Sequence, residues 1–224
     1  RRDMLDEDFD QEFGASFTAV GGAIFKGLSA NRPFYLRPMP VGLEFRRKGI
    51  GEDWGTTKQH QAAVVSGGVM ASGVVWIHSA WLSDSGSSDI WREEALRCKR
   101  DHGATFARVD RSQSSELDRL RALGFEADKG VADVGARIGH FQGLVTRRAI
   151  FFDSNGPGVR AYYNHLCAYH RDREGKVVEE EDDDVDAGCY LVSELALPRA
   201  EYPRATTNTR PSASAPVYSQ RRAN

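Results

Sequence analysis

Residues 43–53 (LEFRRKGIGED), 61–65 (QAAVV) and 74–81 (VVWIHSAW) decide the fold. Each stretch is short, rich in β-branched or aromatic residues and set off by glycines, so three consecutive antiparallel strands are predicted. Downstream the period changes. Residues 89–101 carry Ile90, Ala95 and Leu96 at helical spacing, with Arg92, Glu93, Lys99 and Arg100 outward, and stop at Gly103. Residues 105–109 read as a buried strand, and Leu117, Leu120 and Leu123 follow at spacing three up to Gly124. Residues 131–145 have a helical pattern, 149–152 that of a strand, 159–170 that of a helix after Gly156-Pro157-Gly158, and 184–196 that of a last helix. The order β-β-β-α-β-α-α-β-α-α predicts an α/β fold, with three antiparallel strands followed by parallel ones and helices on both faces.

Upstream, residues 1–13 are acidic, with Phe9 and Phe13 interspersed, and residues 14–37 mix glycines with Phe17, Phe25, Phe34 and Tyr35. Pro33, Pro38 and Pro40 argue against a helix there, so residues 1–40 read as an arm or linker. Residues 41–197 then form the domain. Residues 198–224, rich in Pro, Ser, Thr, Ala and Arg, bury too little apolar surface to offset the entropy of ordering and read as a flexible tail.

A hydrophobic fraction of 40% supports a globular core, and no apolar run approaches the ~18 residues of a membrane span, so no membrane association is expected. Net charge is −2, from 30 basic and 32 acidic residues, so overall charge does not select a polyanionic partner. Cys98, Cys167 and Cys189 lie far apart without a C-x-x-C pair and read as reduced thiols. The sequence has no G-x-x-x-x-G-K-[ST] motif, so ATP hydrolysis is not expected.

The chemistry concentrates in aspartates. Asp53 closes the first predicted strand, Asp110 closes the strand ending Phe106-Ala107-Arg108-Val109, and Asp182, Asp183, Asp184 and Asp186 introduce the last helix. Carboxyl ends of strands line the crevice of an α/β sheet, where acids distant in sequence converge. Converging carboxylates repel one another unless a hard cation such as Mg²⁺ or Mn²⁺ lies between them, and two such ions about 4 Å apart can hold a phosphodiester. Taken singly, Asp53 and Asp110 also read as turn caps and residues 179–186 as a solvated acidic run. Arg111, Lys129 and Arg137 follow strands or loops near the expected rim and are candidate DNA-backbone contacts; scattered solubilising charge is the other reading. His165 and His170, five apart, fall on different helix faces and read as partly exposed.

The strings Gly51-Glu52-Asp53-Trp54-Gly55-Thr56-Thr57, Val109-Asp110-Arg111-Ser112 and Asp182-Asp183-Asp184-Val185-Asp186-Ala187 with Tyr190 resemble the C-terminal nuclease domain of the large terminase subunit of tailed bacteriophages. Phe9-Asp10-Gln11-Glu12-Phe13 with Gly21-Gly22-Ala23-Ile24-Phe25 is similar to the stretch joining that family's ATPase to its nuclease. The resemblance spans residues 8–196. It implies an RNase H-like fold and an endonuclease, dependent on two divalent metal ions, that cuts double-stranded concatemeric DNA during genome packaging in the cytoplasm of an infected bacterial host. Matched by position, Asp53, Asp110 and Asp186 are the metal-binding and catalytic acids. Where the family often has His, three residues before the last acid, this chain has Asp183, which leaves Asp183 as a ligand, a base or a solvated acid. The implied partners are double-stranded DNA, the capsid portal, the small terminase subunit and an ATPase domain preceding the nuclease. Another RNase H-like nuclease, such as a junction resolvase or hybrid-cleaving enzyme, and a non-catalytic portal or motor docking module remain as alternatives.

Overall fold

The structure, a computed structural model, describes residues 22–57, 60–84, 87–110, 112, 114–178 and 182–196. Two short helices, α1 (Lys26–Ala30) and α2 (Arg32–Tyr35), precede β1 (Leu36–Arg37). Then come β2 (Phe45–Thr57), β3 (His60–Met70), β4 (Val75–Ser83), α3 (Ser88–His102), β5 (Phe106–Val109) and α4 (Ser114–Ala122). The chain continues through β6 (Glu126–Lys129), α5 (Val134–Thr146), β7 (Ile150–Asp153), α6 (Val159–Ala168) and α7 (Asp183–Ala196).

All seven strands form one mixed sheet in the order β1-β7-β4-β3-β2-β5-β6. The β2, β3 and β4 strands are antiparallel neighbours, as their sequence pattern predicts, while β5, β6 and β7 join in parallel. Alternation along the central strand sends Ala63 and Val65 into one buried cluster and Ala62 and Val64 into the other. The first cluster is closed by α5, α6 and α7 through Ile138, Phe141, Leu144, Tyr162, Tyr163, Leu166, Leu191 and Leu195. The second is closed by α3 and α4 through Trp91, Ala95, Cys98, Leu117 and Leu120. Helices therefore cover both faces, and the apolar stripe of each buries about 1.5–3 kcal/mol per large side chain.

Three expectations need correction. Residues from Ala23 to Arg37 are built into the core: Phe25, Leu28, Tyr35 and Leu36 are buried in the first cluster, and β1 pairs with β7 at the sheet edge. The Tyr163 hydroxyl donates to the Leu28 carbonyl at 2.7 Å, and that of Tyr35 to the Val145 carbonyl at 3.0 Å. Pro33 does not prevent α2, because it stands in the first turn, where a missing N–H costs no intrahelical bond. Secondly, β6 was not expected. Thirdly, β2 runs on to Thr57, so Asp53 lies within the strand, opposite Ala63, rather than at its end. Residues 1–21 and 197–224, with most of the predicted arm and all of the tail, lie outside the described residues. No helix among the described residues is long and apolar enough to cross a membrane.

Candidate active site

Strand pairing brings the first two acids level. The β2 and β5 strands are parallel with Glu52 beside Val109, so Asp53 and Asp110 stand one residue further along on adjacent strands. Alternation then separates Asp53 from its neighbour Glu52. Glu52 shares a face with Ile50 and Trp54, under α3 and α4, whereas Asp53 shares one with Gly51, under α7. The α7 helix can lie close to β2 because residue 51 has no side chain: a Cβ there would be 1.9 Å from the Ala187 carbonyl oxygen. Asp183, Asp184 and Asp186 occupy the first turn of α7, where the helix dipole favours negative charge.

Two of these acids are tied together by a hydrogen-bonded chain. The Tyr190 hydroxyl donates to Asp110 Oδ2 at 3.0 Å, Arg137 Nη1 donates to that hydroxyl at 2.9 Å, and Arg137 Nη2 pairs with Asp186 Oδ2. Asp110 Oδ1 also accepts from the Ser112 amide at 2.6 Å, so the turn-capping and clustered readings of this residue coexist. Asp183 Oδ2 accepts from the Gln61 amide at 2.8 Å, fixing the start of α7 to β3. Asp184 faces away: it is fully buried and meets His165 Nδ1 at 2.8 Å.

Electrostatics register the convergence. Burial raises the Asp53 carboxyl to about 8, with repulsion from Asp186, Asp183 and Asp110 adding to it and Arg137 opposing. Burial likewise raises Asp186 to about 6, against the pull of Arg137 and with Asp182 and Asp110 pushing further up. Among the described residues, the carboxylates around Asp53 and Asp186 outnumber the Arg137 guanidinium, a balance short of positive charge.

This architecture has solved counterparts. The large terminase of the thermophilic bacteriophage D6E matches over 80% of this chain with TM-score 0.67 and 18% identity. The large terminase nuclease domain of bacteriophage SPP1, solved with bound Mn, matches over 71% of this chain and 96% of its own length, with TM-score 0.53 and 14% identity. That of the thermophilic phage G20c, solved with bound magnesium, matches over 79% of this chain and 98% of its own length, with TM-score 0.53 and 17% identity. The chain has the RNase H-like fold of the large-terminase nuclease domain. It spans about half of the D6E protein, 46% of its length, and nearly all of the two isolated nuclease domains. No protein-family model and no curated protein matches the chain.

Within this terminase nuclease fold, Asp53, Asp110, Asp183 and Asp186 supply only carboxylate oxygens, the donors that hard divalent cations prefer. By donor chemistry they fit Mg²⁺ or Mn²⁺. As the side chains stand, no three candidate ligands among the described residues are gathered into a ready metal-holding group, and the Asp186 carboxylate is turned to Arg137. Of the expected DNA contacts, Lys129 is exposed at the end of β6, level with Val109 and hence at the acidic end of the sheet. Arg137 is not on the rim: it is only 6% exposed and bonded into the acid cluster. Arg111 lies outside the described residues.

Sequence reasoning missed the part played by Tyr190, although a signal was present. It follows Asp186 by four residues on one helix, the spacing that stacks two side chains on one face. The Tyr190 ring is admitted by Gly130, where a Cβ would stand 2.3 Å from it. The partnership of His165 with Asp184 had no such signal, since it joins two helices.

Proposed function

We propose that this chain is the nuclease portion of a phage large terminase subunit, a metal-dependent endonuclease that cleaves double-stranded concatemeric DNA during genome packaging. The observation that carries the reading is the juxtaposition of Asp53 and Asp110 on adjacent parallel strands, with Asp186 brought to them by α7 and the charges raising one another's pKa values. The likeness in fold to nuclease domains solved with manganese and magnesium supports the same reading. Asp53, Asp110 and Asp186 would hold two divalent ions, with Asp183 adding a further oxygen. Such ions, when bound, offset the negative charge of the phosphodiester and acidify the attacking water.

The chain's own residues supply the rest. Tyr190 orients Asp110, the Gln61 amide orients Asp183, and the positive end of the α7 dipole offsets part of the repulsion among the acids in its first turn. Lys129, on the rim, meets a phosphate without reading a base, which suits a nuclease that grips backbone charge. In the full protein the partners would be the ATPase domain, the small terminase subunit and the capsid portal, acting in the cytoplasm of an infected bacterial host. The test is nicking of supercoiled plasmid by the purified chain with Mn²⁺, Mg²⁺ or EDTA. Relaxation with either ion and none with EDTA is expected; no ion-dependent nicking by the folded chain would favour the docking module.

A further inference from the structure

We propose that Arg137 is a built-in counter-cation of the acid cluster, one that must leave Asp186 before a divalent ion binds there, so that this arginine sets the metal affinity of the centre. The inference rests on the metal-dependent reading above. Arg137 is the fourth residue of α5, whose N-cap Asp133 accepts from the Ala136 amide, so its charge lies near the positive end of a helix dipole. A buried cation in that position requires acids to balance it. One guanidinium serves several: it pairs with Asp186, reaches Asp110 through the Tyr190 hydroxyl, and lies over the Tyr190 ring at 4.7 Å.

Its bonding is incomplete for a permanent strut. Arg137 Nε is buried and has no hydrogen-bond partner among the described residues. Arg108, on the same side of the sheet, shows what a structural arginine does here. Its Nε donates to Glu194 at 2.9 Å, Nη1 donates to the carbonyls of Ala107 and Glu126, and Nη2 reaches the Glu126 carboxylate. The Arg108 fork is used throughout and joins three elements. The Arg137 fork is spent on a cluster of acids that, by its donor chemistry, is short of a cation. A dication and a guanidinium on the same Asp186 carboxylate repel, and the dication is the stronger competitor.

Isothermal titration of Mn²⁺ into the full chain, wild type and Arg137→Gln, tests this. The variant is expected to bind Mn²⁺ about tenfold more tightly, the scale on which groups around a metal's ligands shift its affinity. It should also melt at a lower temperature in EDTA, having lost its internal cation. Equal or weaker Mn²⁺ binding by Arg137→Gln beside a binding wild type overturns the proposal and leaves the nuclease reading intact. If neither protein binds at millimolar Mn²⁺, the metal-dependent reading falls and this proposal with it. Should the variant fail to fold, the wild-type chain answers the question by NMR of its guanidinium groups during titration with diamagnetic Mg²⁺. The Arg137 Nη–H signals, held in slow rotation by two bonds, are expected to broaden and merge as Mg²⁺ binds. Their persistence unchanged at saturation overturns the proposal.

Discussion

Gly51 and Ala187 are in backbone contact across the sheet–helix interface, so close that a Cβ on Gly51 would fall 1.9 Å from the Ala187 carbonyl oxygen and 2.8 Å from the Leu191 amide. Both obstacles are main chain, which cannot rotate aside as a side-chain tip can. Gly51→Ala must therefore lift α7, at a cost of about 1–3 kcal/mol. Because α7 carries Asp186, the variant is expected to lose most of its Mn²⁺-induced rise in melting temperature as well. Thermal melts with and without Mn²⁺ check this. Undiminished stabilisation by Mn²⁺ would show that the contact does not position Asp186.

Asparagine substitutions at the acids should not behave alike in the metal-free protein. Asp53 owes its raised pKa to burial and to repulsion from three carboxylates, so Asp53→Asn is expected to be near neutral in EDTA below pH 8, where the carboxyl is largely protonated, and stabilising above it, where it would carry charge. Asp186→Asn instead leaves the buried Arg137 without its carboxylate and should cost about 3 kcal/mol. Urea denaturation of both variants in EDTA separates them. Equal losses would mean that Arg137 is satisfied by something other than Asp186.

Much of this was legible in the chain, and the omissions have physical causes. The three long strands announce themselves because both faces of β3 are buried and its sequence is nearly all apolar or small. By contrast β6 hides because, of Glu126, Ala127, Asp128 and Lys129, only Ala127 is buried, as suits an edge strand. The segment carrying α1, α2 and β1 reads as linker because elements of two to five residues leave no period to detect. Its Phe25, Leu28 and Tyr35 were the remaining clue. The aspartates could be picked out because acids rarely recur at the ends of predicted strands without cause, although β2 in fact runs past Asp53, but an arginine on a helix reads as surface. The burial of Arg137 follows from Tyr190 and Asp186, about fifty residues away, which no local pattern contains.

The pH dependence has a definite sign. Asp53 is raised to about 8 and Asp186 to about 6, above an ordinary aspartate in the unfolded chain, so the native state binds more protons than the unfolded state between pH 4 and 8. Metal-free stability is then fullest below about pH 4 as far as these groups are concerned, and falls as pH rises through 6 and 8. Melting temperatures in EDTA should decline from pH 5.5 to 8.5, less steeply in Asp53→Asn. Mn²⁺ affinity runs the other way, because the ion requires ionised carboxylates. A wild-type profile no steeper than that of Asp53→Asn would contradict the electrostatic account of the site.

The central claim, that Asp53 is a catalytic acid of a nuclease, is tested most directly against its neighbour in sequence. Glu52, a buried acid, is likewise raised to about 8, by burial, Glu116 and Glu94, with the Trp54 indole opposing, but it lies on the other face of β2. Plasmid nicking in Mn²⁺ by wild type, Asp53→Asn and Glu52→Gln therefore compares two adjacent carboxylates, both raised by desolvation, that differ in which side of the sheet they serve. Nicking by Glu52→Gln close to wild type is expected, with Asp53→Asn reduced by about a hundredfold or more, the scale of several kcal/mol of lost charge stabilisation. Wild-type nicking by Asp53→Asn, or a comparable loss in both variants while both remain folded, would contradict the account.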